Sequence, residues 1–187
     1  MRHIPYLACL PAAVVLLAAG CNTVPQASAP AVSIVNSLSF DNAMTGKRDG
    51  LRSAWPLDQS AQTTEQFPLA QIKRCEQATG LCSWGVLKAR RTFGKVRALP
   101  TGVALEVEVV LDVERSQRGY GNAQNAAMTI PADVTALALK RTVKREVVLE
   151  YGKVQRIEAE HGISYELCAL RLDAARNPVD KCAIDYI

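Results

Sequence analysis

The sequence predicts an all-β protein: an antiparallel β-sandwich or open barrel of about seven to eight strands, with minor helix. Three observations carry that expectation. Residues 103–114 alternate strictly, with Val103, Leu105, Val107, Val109, Leu111 and Val113 on one side and Ala104, Glu106, Glu108, Val110, Asp112 and Glu114 on the other. That period of two is the pattern of a half-buried strand. The other apolar stretches after residue 31 are short and rich in valine, isoleucine and leucine. Glycine and proline punctuate the chain between them, as expected of short strands joined by turns.

The chain begins with Arg2 and His3, followed by an apolar run from Leu7 to Ala19 interrupted only by Pro11. Thirteen residues fall well short of the roughly 20 that a helix needs to cross a bilayer, so the run reads as a cleaved secretory leader. It ends in Leu16-Leu17-Ala18-Ala19-Gly20-Cys21, which resembles the lipobox of bacterial lipoproteins. The match departs from the commonest form at Ala18, where leucine usually stands; Leu17 lies one place early. The resemblance implies that residues 1–20 are removed and that the Cys21 thiol carries diacylglycerol. It also implies that the freed amine receives an N-acyl chain such as palmitate. One acyl chain binds a membrane only marginally, but two or three hold durably, at about 0.8 kcal/mol per buried methylene. Asn22 is not the aspartate that marks inner-membrane retention in enterobacterial lipoproteins. By the same resemblance, the expected location is the periplasmic face of the outer membrane.

Residues 21–31 form a polar tether with Pro25 and Pro30, spanning roughly 17 to 19 Å if flexible. Residues 32–187 are then expected to form a single β-rich periplasmic domain. Val32, Ile34, Leu38 and Phe40 share one parity and predict a half-buried first strand, although Asn36 interrupts the inward face. Residues 41–66 show no sustained period and read as irregular. Gly46-Lys47 lacks the earlier glycine and following hydroxyl of a phosphate loop, so it reads as a solvated turn.

Leu69 to Cys75 and Cys82 to Arg97 predict two strands joined across residues 76–81, with a short helix from Pro68 as the rival for the first. Pro100-Thr101-Gly102 turns the chain into the 103–114 strand. Lys88, Arg91, Lys95 and Arg97 are expected near its outward carboxylates. Twelve strand residues reach roughly 40 Å, so a bend or bulge is expected, with Val110 as its candidate position.

Residues 115–127 form a long polar stretch. It reads either as a connection between sheets or as a recognition loop presenting Arg118, Tyr120, Asn122 and Gln124. Leu137 to Tyr151 predicts a strand interrupted by Arg141 and Arg145, and Tyr151-Gly152-Lys153-Val154 suits a tight hairpin turn. Lys140, Arg141, Lys144 and Arg145 make a basic patch, either a solvated face or a contact for anionic headgroups or an acidic partner. Val154 to Glu160 predicts a short strand, His161-Gly162 a turn, Ile163 to Leu172 a central strand and Lys181 to Ile187 a closing strand.

Export would leave Cys75, Cys82, Cys168 and Cys182 in an oxidising compartment. Of three connectivities, pairing 75 with 82 and 168 with 182 suits the strand arrangement. With the leader gone, His161 is the sole histidine, and no Cys-x2-Cys or His-x3-His spacing occurs, so neither a metal site nor a cofactor beyond the lipid is expected. Formal charge of +4 over the whole chain is mild, and nucleic acid is not an expected partner. Catalysis needs a base and a nucleophile held together, and the sequence contains no such constellation. The expected function is a membrane-anchored binding or structural accessory of the cell envelope that contacts a protein partner. The alternative is an envelope hydrolase or small-ligand-binding enzyme using His161.

Overall fold

The structure is a computed structural model describing residues 31–57, 62–121 and 126–184. In chain order the strands are β1 (Ala31–Asp41), β2 (Arg48–Leu57), β3 (Thr63–Gln66), β4 (Ala70–Cys75), β5 (Cys82–Leu99), β6 (Gly102–Glu114), β7 (Ser116–Arg118), β8 (Ala127–Thr129), β9 (Thr135–Ala136), β10 (Leu139–Glu150), β11 (Val154–Glu158) and β12 (Ser164–Leu172). The protein is all-β, with twelve strands among the described residues where about seven to eight were expected. A four-stranded sheet in the order β11-β12-β1-β2 lies against a larger sheet built on β10-β6-β5-β3. In the larger sheet β4 and β9 also pair with β5, while β7 and β8 form a separate hairpin.

The strict alternation of β6 places Val103, Leu105, Val107, Val109, Leu111 and Val113 in the core. From the opposing sheet they meet Ile34, Leu38, Phe40, Tyr165 and Leu167. The expected distortion occurs in the neighbouring strand, not at Val110. Register shifts between Gly94 and Arg97 of β5, where Lys95 takes φ 50°. Val110 stays in regular ladder between Arg90 and Thr142.

Several expectations are corrected. Residues 41–66 contain β2 and β3; β2 pairs with β1 over ten positions. Its charged and small residues hid the strand because only one of its faces meets the core. Strand β1 is buried on both faces, since Ser33, Ser37 and Ser39 are covered as well as the core-facing residues. The turn at Tyr151–Lys153 is no hairpin: β10 pairs with β6 in the larger sheet and β11 with β12 in the smaller. Gly152, at φ 74°, lets the chain change sheets there, in a conformation that costs other residues more. At the same end of the β6–β10 ladder, Gly102, opposite Glu150, lies against the Leu149 carbonyl, where a Cβ would collide.

Residues 160–162 form a single 3-10 turn, with His161 at φ 59°. Through residue 184, the expected closing strand is instead an irregular segment packed on the smaller sheet. Residues 185–187 lie outside the described residues.

Candidate functional site

The expected site residues are dispersed over the molecule. Cys21, Asn122 and Gln124 lie outside the described residues. Cys75 and Cys82 face one another at the end of the β4–β5 ladder and are bonded. Cys168 is bonded to Cys182, so β12 is joined to the irregular segment.

The basic residues do not form one patch, because strand parity separates them. Lys140 and Lys144 project from the solvent face of β10, 2.8 Å from Glu114 and 3.2 Å from Glu106 respectively. Hydrogen bonds from Lys95 and Lys144 hold the Glu106 carboxyl below its ordinary range. Arg141 and Arg145 occupy the other face. Arg141 reaches Glu160 at 2.8 Å, which lowers that carboxyl, whereas Arg145 has no ionic partner among the described residues. Exposed pairs like these contribute little to stability; here they set register across β5, β6 and β10.

The polar stretch at 115–127 is the β7–β8 hairpin, with Ser116 and Thr129 hydroxyls 2.8 Å apart. Arg118 is exposed at its end. Tyr120 instead packs its ring 4.2 Å from Lys88 Nζ and borders a recess with Phe67, Pro68, Leu69 and Met128. Partial burial raises its phenol above the ordinary range. A cation over an aromatic face at a partly exposed position contributes about 0.5–1 kcal/mol. Tyr120→Ala is therefore expected to lower the unfolding free energy by about 1 kcal/mol, and Arg118→Ala by less than about 0.5 kcal/mol. Urea melts of the two variants check this ordering.

His161 Nε2 lies 3.2 Å from the Ala138 carbonyl. Its neighbour Glu160 is committed to Arg141, so the histidine, the carboxylate and a nucleophile are not assembled around one point. Among the described residues no group of histidine, cysteine, aspartate and glutamate is arranged to hold a metal ion.

Two features were missed in the sequence. The first is a polar cluster between the sheets at their β2 and β3 edges. Arg91, expected beside the outward carboxylates, points inward with its side chain fully buried, 2.8 Å from Glu65. Glu65 also accepts a 2.7 Å hydrogen bond from the Ser53 hydroxyl, to which Asn36 donates at 3.2 Å. The guanidinium lies 4.1 Å from the Phe93 ring and 5.6 Å from that of Trp55. Burial pushes the nearby Tyr165 phenol far above its ordinary range, and Arg91 offsets this only in part. The cluster ties one edge of each sheet to the other. Alternation would have located Arg91, since Leu87, Ala89 and Phe93 share its parity.

The second feature is a recess of about 620 Å³ on the outer face of the smaller sheet. Register places Val35 beside Ala54 and Cys168, and Ser33 beside Pro56 and Leu170. The wall opposite this floor is the segment carrying Arg176, Pro178, Asp180, Lys181 and Cys182. The wall is held by the Cys168 bond, the packing of Ile184 on Val35 and Leu170, a backbone hydrogen bond from Val179 N–H to the Arg171 carbonyl at 2.9 Å, and Asp180. The Asp180 carboxylate accepts from Arg171 Nη2 at 2.7 Å, Nε at 3.0 Å and the backbone N–H at 2.9 Å. Arg171 thereby holds the Asp180 carboxyl well below its ordinary range.

Farther along the same face the surface turns polar. Arg48 donates to the Ser164 hydroxyl at 2.7 Å and to the Gly162 carbonyl, and Arg156 pairs with the buried Glu166. No protein-family model, curated protein or solved structure matches the chain.

Proposed function

We propose that the protein is a lipid-anchored binding module of the cell envelope. Acyl chains on Cys21 hold it at the periplasmic face of the outer membrane, and it takes its ligand on the outer face of the four-stranded sheet. The observation that carries this reading is the recess between β1, β2, β12 and the disulfide-held segment. Concave apolar sites of roughly 300–1,000 Å³ with a few polar groups at the margin are the usual form of small-ligand sites.

Its position relative to the anchor supports the same reading. Strand β1 begins at Ala31 beside Leu172 on the margin of the recess. The intervening tether has a reach of roughly 17 to 19 Å, so the site stays near the bilayer. The arrangement suits binding rather than turnover, because the floor is aliphatic with one serine hydroxyl and the carboxylate on the wall, Asp180, is already engaged by Arg171.

Cys21→Ser is expected to move the protein from the membrane pellet to the soluble periplasmic fraction, because acyl chains are the durable anchor. A variant that still sediments with membranes and resists salt extraction overturns the anchoring.

A further inference from the structure

The character of the recess specifies its occupant more closely. Its apolar lining contains no aromatic ring: Val35, Ala54, Pro56, Leu170, Leu172 and Pro178 supply it beside the disulfide-bonded Cys182, and Ser33 supplies the hydroxyl. The floor is the flat face of a sheet whose backbone groups are engaged in its own ladders. A polypeptide laid there would bury amide groups with almost nothing to bond them, and such burial is costly. A hydrocarbon chain has no amides to satisfy.

The margin, in contrast, is charged. Arg52 stands on the sheet side, at the boundary with the polar half of the face, while Arg176 and Lys181 stand on the covering segment. Asp180, the carboxylate among them, has both oxygens held by Arg171. Arg176 and Lys181 have no ionic partner among the described residues. The margin therefore presents an excess of positive charge around an apolar opening. Guanidinium and ammonium groups recognise phosphate oxygens through short charge-assisted hydrogen bonds.

We infer that this recess binds an acyl chain of an anionic phospholipid, with the chain against the sheet and the phosphate at Arg176 and Lys181. The inference rests on the outer face being the ligand surface, and the nearby bilayer supplies such lipids. The Cys168–Cys182 bond fixes the wall before the ligand arrives, so little ordering accompanies entry.

The test uses the purified Cys21→Ser mature chain with both disulfides intact, titrated with lysophosphatidylglycerol below its micellar concentration and followed by native mass spectrometry. Saturable one-to-one binding is expected, at least tenfold tighter than for lysophosphatidylcholine of the same chain length. Ala54→Glu places a carboxylate on the exposed part of the floor, and the pair Arg176→Glu with Lys181→Glu reverses the margin. Each is expected to weaken binding at least tenfold while leaving the melting temperature unchanged.

The inference is overturned by absence of saturable binding, by equal affinity for the two headgroups, or by variants that bind as the parent does. Binding of a free fatty acid without lysophosphatidylglycerol overturns the phospholipid assignment. A captured protein that Ala54→Glu abolishes and lysophosphatidylglycerol does not displace makes the face a protein-docking surface instead. Fractionation separates the two proposals: a Cys21→Ser chain that binds lipid yet stays in the membrane pellet overturns the anchor and leaves the recess assignment standing.

Discussion

Replacing Glu65 with glutamine is expected to lower the unfolding free energy by about 3–5 kcal/mol, the usual loss when one partner of a buried ion pair is removed. The side chain of Arg91 is fully enclosed and meets its counter-charge at Glu65. Glutamine keeps the size of that partner but leaves the guanidinium uncompensated between Phe93 and Trp55. Arg91 Nε and Nη1 find no acceptor among the described residues, so the local structure has little with which to absorb the change. For a chain of this size the loss corresponds to a melting point lower by roughly 6–20 °C. Exchanging the pair together, Glu65→Leu with Arg91→Met, is expected to return stability to within about 1 kcal/mol of the parent, because apolar replacements of buried pairs are often neutral. Urea denaturation of the three proteins decides the matter. A loss below about 1 kcal/mol for the glutamine variant would mean that water reaches the guanidinium.

The second large effect is expected on opening the bond between Cys168 and Cys182. The two residues are 14 apart in sequence, and closing a loop of that length stabilises by about 3 kcal/mol in the chain-entropy model. Replacing both by alanine should cost about that much, and more than opening the shorter loop between Cys75 and Cys82. A local consequence accompanies the global one. Val35, Leu170 and Ile184 form a small apolar cluster with Cys168, and without the bond this cover is held by that packing, the Arg171–Asp180 contact and the backbone bond from Val179 N–H to the Arg171 carbonyl. Amide exchange in the segment after Leu172 should therefore accelerate more than exchange in β6, which is sequestered in the larger sheet. Equal acceleration throughout would show that the segment and the sandwich unfold as one unit.

Much of the architecture can be read from the residues, and the exceptions have physical causes. The alternation of β6 is legible because one of its faces meets the core and the other carries charge. Both cysteine pairings follow from the strand arrangement, although Cys182 reaches its partner from an irregular segment. The β2 strand escapes because pairing along β1 outweighs weak local propensity in a sequence containing Gly50 and Pro56. Arg91 escapes because an arginine among apolar positions reads as an outward residue until its partner Glu65, 26 residues earlier, is brought alongside. The basic residues of β10 are close in sequence but divide between faces, since neighbours on a strand point in opposite directions. The recess is the least legible feature. Its floor combines the outward residues of three strands with a wall from the C-terminal segment, and no local pattern records that assembly.

The pairing of β1 with β12 sets the order in which the molecule can mature. Ala31 lies opposite Leu172, so the first described strand must wait for nearly the whole chain before its second neighbour exists. The β5–β6 hairpin has its partners close in sequence and can form early, and β10 follows onto β6. Contacts between distant parts of a chain are slow to form. A polypeptide delivered from its N-terminus would therefore carry β1 for a time with one flank unsatisfied, an exposed strand edge of the kind that invites wrong partners. Completing the smaller sheet is thus a late event, and the outer-face recess comes into being only with it.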